Sequence, residues 1–412
     1  MGAAAPVLWR PTPEQVEGSR MAAFAARVGL PLDPADAEAG YDRLWAWSTS
    51  ERESFWAAVW EDAGVLGERG ERVLADDAMP GARWFPDARL NFAENLLARR
   101  DEAPALIFRG EDGRRRELSF AALAEEVRRL RAQFAVWGVG PGDRVAGFLP
   151  NLPEAVVGML AASSLGAAWS SCSPDFGVDG VLDRFGQVAP KVLLVADGYL
   201  YKGKPRLEEE KLEAILAGLP SVEQAVVVPF LGEAGAELRT RFLAAPRRHA
   251  WDELLAAAPD EALAFARLPF DHPLYVMFSS GTTGKPKCIV HGQGGTLLQH
   301  RKEHRLHVDL RPDERFFYFT TTGWMMWNWL VTGLAEGATV VLYDGNPFHP
   351  DPEAMWRLAA EERLAVFGTS AKFIDASKKA GAAPATAGDL GALRAILSTG
   401  SPLVDESFDW TY

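Results

Sequence analysis

Cysteine is scarce: Cys172 and Cys288 are the only two in 412 residues. Two thiols are too few for a disulfide framework or a structural zinc site, and such usage fits a reducing, cytosolic setting. Basic charge is also in short supply. Asp and Glu number 56 against 43 Lys and Arg, a formal net charge of -13. A duplex binder driven by phosphate neutralisation needs the opposite balance or a basic stripe, so nucleic acid is not an expected partner. A small anion stays open, because a pocket can be locally positive on a negative protein. The start, MGAAAPVLWRPTPEQ, has no basic stretch leading into an apolar one, and Pro6 stands where a myristoylation pattern needs Ser or Thr. The longest uncharged run, Ala155 to Pro174, is rich in Ala, Ser and Gly. It reads as a buried helix leading into a strand rather than a membrane span. Repeats and low-complexity tracts are missing.

What is present is a globular composition: 48% hydrophobic residues, with 38 Gly and 27 Pro spread along the chain. At roughly 100–200 residues per domain the length suggests two to four domains. Up to about Asn95 the chain is rich in Trp and Pro. Between Trp45 and Trp60 apolar residues recur at helical spacing, and the Ser48 to Glu51 stretch offers an N-cap, the pattern of a packed helical lead-in. From Leu106 onward, short apolar runs alternate with helical ones. A helix is expected over Ser119–Trp137 with Ser119 as cap, a strand at Arg144–Leu149, and a helix from Pro153, whose fixed φ suits a first turn. Further strands are expected at Ala167–Ser171, Val192–Val195, Ala225–Val228, Tyr275–Phe278, Phe316–Thr320, Thr339–Tyr343, Ala365–Phe367 and Ala395–Leu397. Uniformly apolar strands such as VLLV belong to sheets buried on both faces, an α/β arrangement of layered parallel or mixed sheets flanked by helices. The charged stretch Tyr199 to Asp271 interrupts the alternation and reads as surface helices.

One segment carries chemistry. Tyr275 to His291 reads as a strand, a nine-residue loop SSGTTGKPK and a second strand. Glycines let a backbone approach an anion closely. The amides, the hydroxyls of Ser279, Ser280, Thr282 and Thr283, and the ammonium of Lys285 or Lys287 are donors for phosphate oxygens. The loop is not a Walker A motif: Ser279 occupies the place of the first Gly, and Pro286 follows the Lys. Cys288 reads as a small buried strand residue, and His291 as a satisfied structural side chain. His300, His304 and His307 fall at i, i+4 and i+7 without the acidic partner of a zinc helix, so a polar helix face is the expectation and no metal site is assigned.

SSGTTGKPK resembles the phosphate loop of the adenylate-forming superfamily of acyl-CoA synthetases. Thr320-Thr-Thr-Gly-Trp-Met-Met-Trp-Asn-Trp329 is similar to its acyl-pocket block, and Leu397-Ser-Thr-Gly-Ser-Pro402 to the strand and turn that pack on the adenine. More narrowly, WFPDARLNFAENLL, SSGTTGKPKCIVHG, TTTGWMMWNWLVTGL and FGTSAKF are similar to acetoacetyl-CoA synthetases. The resemblance implies a two-step reaction using ATP, CoA and Mg²⁺: acetoacetate gives acetoacetyl-AMP and pyrophosphate, then CoA displaces AMP. Other short acids (acetate, propionate, 3-hydroxybutyrate) and a non-catalytic nucleotide- or CoA-binding role are the alternatives. No membrane and no obligate protein partner is implied.

Carried over residue by residue, Ser279, Ser280, Gly281, Thr282, Thr283, Gly284, Lys285 and Lys287 take the phosphate role, with Lys287 and Thr282 assigned to catalysis. Trp324, Met325 and Met326 after Gly323, together with Thr399, take the acyl pocket, although a run of Trp and Met is as often plain core. Asn328 could donate to a 3-oxo group. Gly400, Ser401 and Pro402 take the adenine side; relatives often have Glu where Ser401 stands. Lys202 and Lys204 are candidates for the CoA phosphate, against ordinary solvated lysines. Residues 1–100 are expected to be the lead-in and residues 101–412 the adenylate-forming large domain. The family's later blocks, with a Mg²⁺-associated Glu, a ribose-binding Asp and the catalytic Lys, do not occur in this sequence. The chain is therefore expected to be a portion of a longer synthetase and to be inactive alone.

Overall fold

The computed structural model describes residues 7–279 and 284–412, so Ser280, Gly281, Thr282 and Thr283 lie outside the described residues. The apolar runs assemble into two large sheets. The first runs, edge to edge, through Arg248–Ala250, Gln224–Val228, Val192–Ala196, Arg144–Phe148, Ala168–Cys172, Pro273–Ser279 and Lys287–Gly292. Its neighbours are parallel except for the last pair, which is an antiparallel hairpin. The second runs through Ala395–Thr399, Val366–Ser370, Arg315–Tyr318, Thr339–Asp344, Pro104–Gly110 and Arg115–Ser119. It too is parallel up to an antiparallel hairpin at one edge. Val192–Ala196 is buried along its whole length, as expected of a strand covered on both faces. The layered α/β arrangement matches the sequence expectation.

Local signals explain the helices. Ser119 caps the helix Phe120–Val136 by accepting from Ala122 N, and Pro153 opens the wholly buried helix Pro153–Ser164. The run Ala155 to Pro174 thus enters the core as a helix and the strand Ala168–Cys172. No helix among the described residues is long and apolar enough to cross a membrane. The helical spacing from Trp45 to Trp60 is met by two helices, Ala37–Ser50 and Arg52–Ala63, and Glu51, in the expected stretch, is the N-cap residue of the second, although its side chain makes no capping bond. Ser48 is no cap; its hydroxyl donates to Trp45 O inside the first helix. The stretch from Tyr199 holds more than surface helices. Gly198–Tyr201 and Lys204–Leu207 form a hairpin, and Arg248–Ala250 adds an edge strand.

The N-terminal segment belongs to the main core. Trp60, Phe85 and Phe270 stack at centroid distances of 5.0–6.5 Å. Two polar knots reinforce the packing. Glu336, with a fully buried side chain, pairs with Arg20, Arg301 and Arg305. Glu362 does the same with Arg109, Arg115 and Arg315.

Within the second sheet, Gly368 lies beside Tyr318, whose hydroxyl donates to Thr369 O at 2.7 Å. A Cβ at position 368 would stand 2.0 Å from the Tyr318 ring. Gly368→Ala is therefore expected to destabilise the fold by about 1–3 kcal/mol, the usual cost of overpacking. Urea unfolding with an unchanged midpoint would show that the ring has room to move.

Candidate functional site

Parallel strands deliver their carboxyl ends to one edge of a sheet, and the loops beyond those ends form the natural crevice of open α/β folds. Here the carboxyl ends of the two sheets meet. Ser171 Oγ donates to Thr322 O at 2.6 Å, and Thr322 Oγ1 donates to Leu149 O at 3.0 Å. Asn151 sits at the centre. Its amide nitrogen reaches Thr320 O and Tyr343 O, its backbone N–H donates to Asp344 Oδ1, and its Oδ1 accepts from Trp327 Nε1 at 2.9 Å. SSGTTGKPK begins at the end of Pro273–Ser279, the Trp and Met block follows Arg315–Tyr318, and the Gly400 turn follows Ala395–Thr399.

The phosphate-loop segment is a hairpin in which Ser279 faces Lys287 across the ladder. The connecting loop is thus shorter than the nine residues expected, since both ends of SSGTTGKPK are strand residues. Gly284 has φ +94°, a value open to glycine. Pro286 O accepts from Gln187 Nε2 at 2.9 Å, and Lys285 stands 3.4 Å from Asp183. Lys287 is exposed and has no ion pair among the described residues. Cys288 is exposed, not buried: it lies on the outermost strand, opposite Phe278, with Ile289 and Val290 also exposed. Cys172 is the interior thiol, and burial pushes it up to about 12.

The Trp and Met block divides by face. Trp327, Trp329 and Leu330 are buried, and Trp329 Nε1 donates to Glu303. Trp324 is 61% exposed and Met325 42% exposed, so these two are not core, while Met326 is half-buried against the main core. Met325 and Trp329 line a cleft of about 780 Å³, whose opposite wall is the Ala82–Arg89 segment. His291 and His300 line it too. Burial lowers the His291 pKa.

The expected polar histidine face is not found: His300 and His304 are buried and only His307 is exposed, because this helix packs between the lead-in helix Arg52–Ala63 and the turn Thr332–Glu336. His300 Nδ1 lies 2.9 Å from Thr332 Oγ1, whose proton goes to Asn328 O. The hydroxyl must then accept from His300, which fixes the Nδ1–H tautomer and leaves Nε2 as an acceptor. Burial, reinforced by His304 and His291, holds His300 well below the usual histidine value. His304 is held at about 4, again by burial first.

Gly400, with φ +88°, turns the chain at the end of the outer strand Ala395–Thr399, and Ser401 and Pro402 follow. Thr399 closes that strand opposite Ser370, one residue before this turn. Lys202 and Lys204 are exposed on a tight hairpin whose turn residues Lys202 and Gly203 both have positive φ. Gly203 N donates to Glu111 Oε1 at 2.8 Å, tying the turn to the second sheet. No group of three metal-ligating side chains stands together among the described residues.

Sequence reasoning missed Asn151. Its sole signal was its position, two residues before the helix-opening Pro153 and just past a strand.

Comparison with known proteins agrees with this geometry. The family described as AMP-binding enzyme matches residues 92–412, and acetyl-coenzyme A synthetase N-terminus matches residues 41–96. The acetoacetyl-coenzyme A synthetase of Rhizobium meliloti is 52% identical over 98% of this chain and 61% of its own length. A malonamoyl-CoA synthetase of Penicillium aethiopicum is 40% identical over 90% of this chain and 55% of its own. The solved acetoacetyl-CoA synthetase of Streptomyces lividans superposes with a TM-score of 0.90 at 43% identity, covering 99% of this chain and 62% of that one. The chain thus spans about three fifths of the length of the acetoacetyl-CoA synthetases it matches. With the motifs gathered where two parallel sheets meet, the chain belongs to the AMP-binding enzyme family.

Proposed function

We propose that this chain supplies the nucleotide- and acid-binding part of an enzyme that joins acetoacetate to coenzyme A through acetoacetyl-AMP. The observation that carries the reading is the convergence of the phosphate hairpin, the Trp and Met block and the Gly400 turn on the carboxyl ends of two abutting parallel sheets. In the first step a carboxylate oxygen bonds to the α-phosphorus of ATP, the bond to the β-phosphoryl oxygen breaks, and pyrophosphate leaves with the electron pair. Lys287, Lys285 and the loop hydroxyls, Thr282 among them, offset the charge that gathers on the leaving phosphates. In the second step the sulfur of CoA bonds to the acyl carbon and gives up its proton to solvent, the bond from that carbon to the phosphate oxygen breaks, and AMP leaves with the electron pair. Lys202 and Lys204 are candidates to meet the phosphates of CoA. Mg²⁺ is taken to arrive as the counter-ion of the nucleotide, which suits an ion held largely through phosphate oxygens and water. No step is assigned to it on this chain.

Residues 1–100 act in this reading as a lead-in packed on the domain formed by residues 101–412, and the enzyme works in the cytoplasm without an obligate protein partner. A second acid is supported by one observation. A relative of similar identity is named for malonamoyl, which shares with acetoacetyl a carbonyl on the third carbon. The acid class is therefore a short acid bearing oxygen at that position.

ATP–pyrophosphate exchange in the full-length protein, with acetate, propionate, butyrate, 3-hydroxybutyrate and acetoacetate in turn, tests the reading. Exchange driven best by acetoacetate is expected; no exchange with any acid would leave a binding module only. In the same assay Met326→Ala is expected to favour longer acids over acetoacetate by roughly 10-fold or more, since methylene-sized misfits are worth about 1–3 kcal/mol. An unchanged order of acids would return Met326 to the core.

A further inference from the structure

We propose that Asn328 selects for the oxygen on the third carbon of the acid. The proposal rests on the adenylating reading above and deepens it. Asn328 lies one helical turn beyond Met325 in the helix Met325–Val331 and is only 3% exposed. Its Nδ2 donates to the thioether of Met277 at 3.4 Å, and its Oδ1 is buried without a partner among the described residues. Buried amides in native proteins are nearly always bonded at both ends, so an open one marks a place that a ligand or water completes.

The amide borders a small cavity walled by Trp169, Ser171, Tyr275, Met277, Thr322 and Gly323. The other polar side chains there are engaged. Ser171 Oγ accepts from Trp169 Nε1 and donates to Thr322 O, while Thr322 Oγ1 donates to Leu149 O. Tyr275 directs its hydroxyl to Met159. The carboxamide is what remains to recognise a polar group.

Its position relative to the phosphate hairpin suits a short acid. Ser279 faces Lys287, and Met277 faces Ile289 two residues along, on the same face of the ladder. At ~3.4 Å per residue, Met277 stands roughly 7 Å from Ser279. A carboxylate held near Ser279 and Lys287 therefore directs its third carbon toward Met277 and Asn328. A thioether is a weak acceptor, and the last torsion of Asn is broad and two-fold. The amide can thus turn to offer N–H to a carbonyl, or C=O to a hydroxyl, at small cost.

The test is ATP–pyrophosphate exchange by the full-length wild-type protein, Asn328→Leu and Asn328→Ser, with acetoacetate, 3-hydroxybutyrate and butyrate. A site built to bond a polar group strongly rejects the analogue that lacks it, so the wild type should prefer acetoacetate to butyrate by about 100-fold or more in kcat/KM. In Asn328→Leu that ratio is expected to fall by roughly 10- to 100-fold, through loss with acetoacetate while butyrate is retained or improved. Retained butyrate exchange certifies the fold. Should the Leu variant fail to fold, Asn328→Ser decides, with an intermediate ratio expected. A ratio within threefold of wild type in either folded variant overturns the assignment. A wild type that activates acetate or propionate with no preference for an oxygenated third carbon also overturns it, yet leaves adenylation standing. Absence of all acid-driven exchange overturns the adenylating reading itself.

Discussion

Replacing Lys287 by Ala is expected to slow acid-driven ATP–pyrophosphate exchange by roughly 10- to 100-fold, because a charged hydrogen bond contributes about 1.5–3 kcal/mol. The structure sharpens the expectation by separating the two lysines of the hairpin. Lys285 is drawn toward Asp183, 3.4 Å away, whereas Lys287 has no acidic partner among the described residues. Lys287 also stands across the ladder from Ser279, at the base of the loop. Lys285→Ala should therefore cost less than Lys287→Ala. Stopped exchange assays on both variants, with circular dichroism to confirm folding, settle the order. Equal exchange rates in the wild type and Lys287→Ala would remove this lysine from the phosphate site.

Glu336→Ala is expected to be the most destabilising single change discussed. It leaves Arg20, Arg301 and Arg305 around a site that has lost its carboxylate; Arg305 keeps Asp62, whereas the buried Arg301 loses its only carboxylate partner among the described residues. Removing one member of a buried charge pair typically costs about 3–5 kcal/mol, since the charge left behind stays desolvated and unpaired. The melting temperature should fall clearly, and Arg301→Met added to Glu336→Ala should recover part of the loss. A melting temperature within one degree of wild type (about 1 °C, far below the effect of such a loss) would show the knot to be dispensable.

Acid should act through the same groups. Burial alone would raise the Glu336 carboxyl, but its arginines outweigh that and hold it below 4.5. Its contribution is therefore present above the unfolded value and lost as pH falls through the lower folded one. The histidines act earlier. His304, held at about 4 against an ordinary 6.5, favours the folded state while neutral and surrenders that contribution as pH falls between those values. Stability should thus begin to decline below about pH 6.5 and fall further below about pH 4.5.

Much of this was legible in the sequence wherever one physical demand dominated. Val192–Ala196 and Gln224–Val228 are almost wholly apolar because both faces are covered, and such runs admit few other readings. Ser119 and Pro153 marked helix starts through local backbone chemistry. Edge strands were harder. Arg115–Ser119 is mostly exposed and is absent from the expected strands, since its ladder partner, not its own pattern, makes it a strand. The same cause misled the reading of Cys288: the strand is apolar, but it is the outermost of its sheet. The histidines erred in the other direction. A polar residue buried by a distant segment leaves no local trace, and His304 is bonded to Trp329 O, 25 residues away. For the candidate site, resemblance to family motifs pointed to the blocks, while their division into exposed Trp324 and Met325 and buried Trp327 needed the packed helix.

The pairing of Pro104–Gly110 with Thr339–Asp344 has a consequence in time. Thr339 Oγ1 donates to Pro104 O across 235 residues of chain. At about 5–20 residues per second of synthesis, the early strand waits roughly 10–50 s for its parallel neighbour to leave the ribosome. During that wait Leu106, Ile107 and Phe108, fully covered in the finished sheet, have only the Arg115–Ser119 strand beside them. The first sheet can assemble meanwhile, because its strands from Arg144 to Gly292 emerge within the interval. Elongation pauses between Ser119 and Thr339 would prolong the exposure of a nascent apolar edge, so codon choice in that stretch bears on soluble yield as directly as any residue in the core.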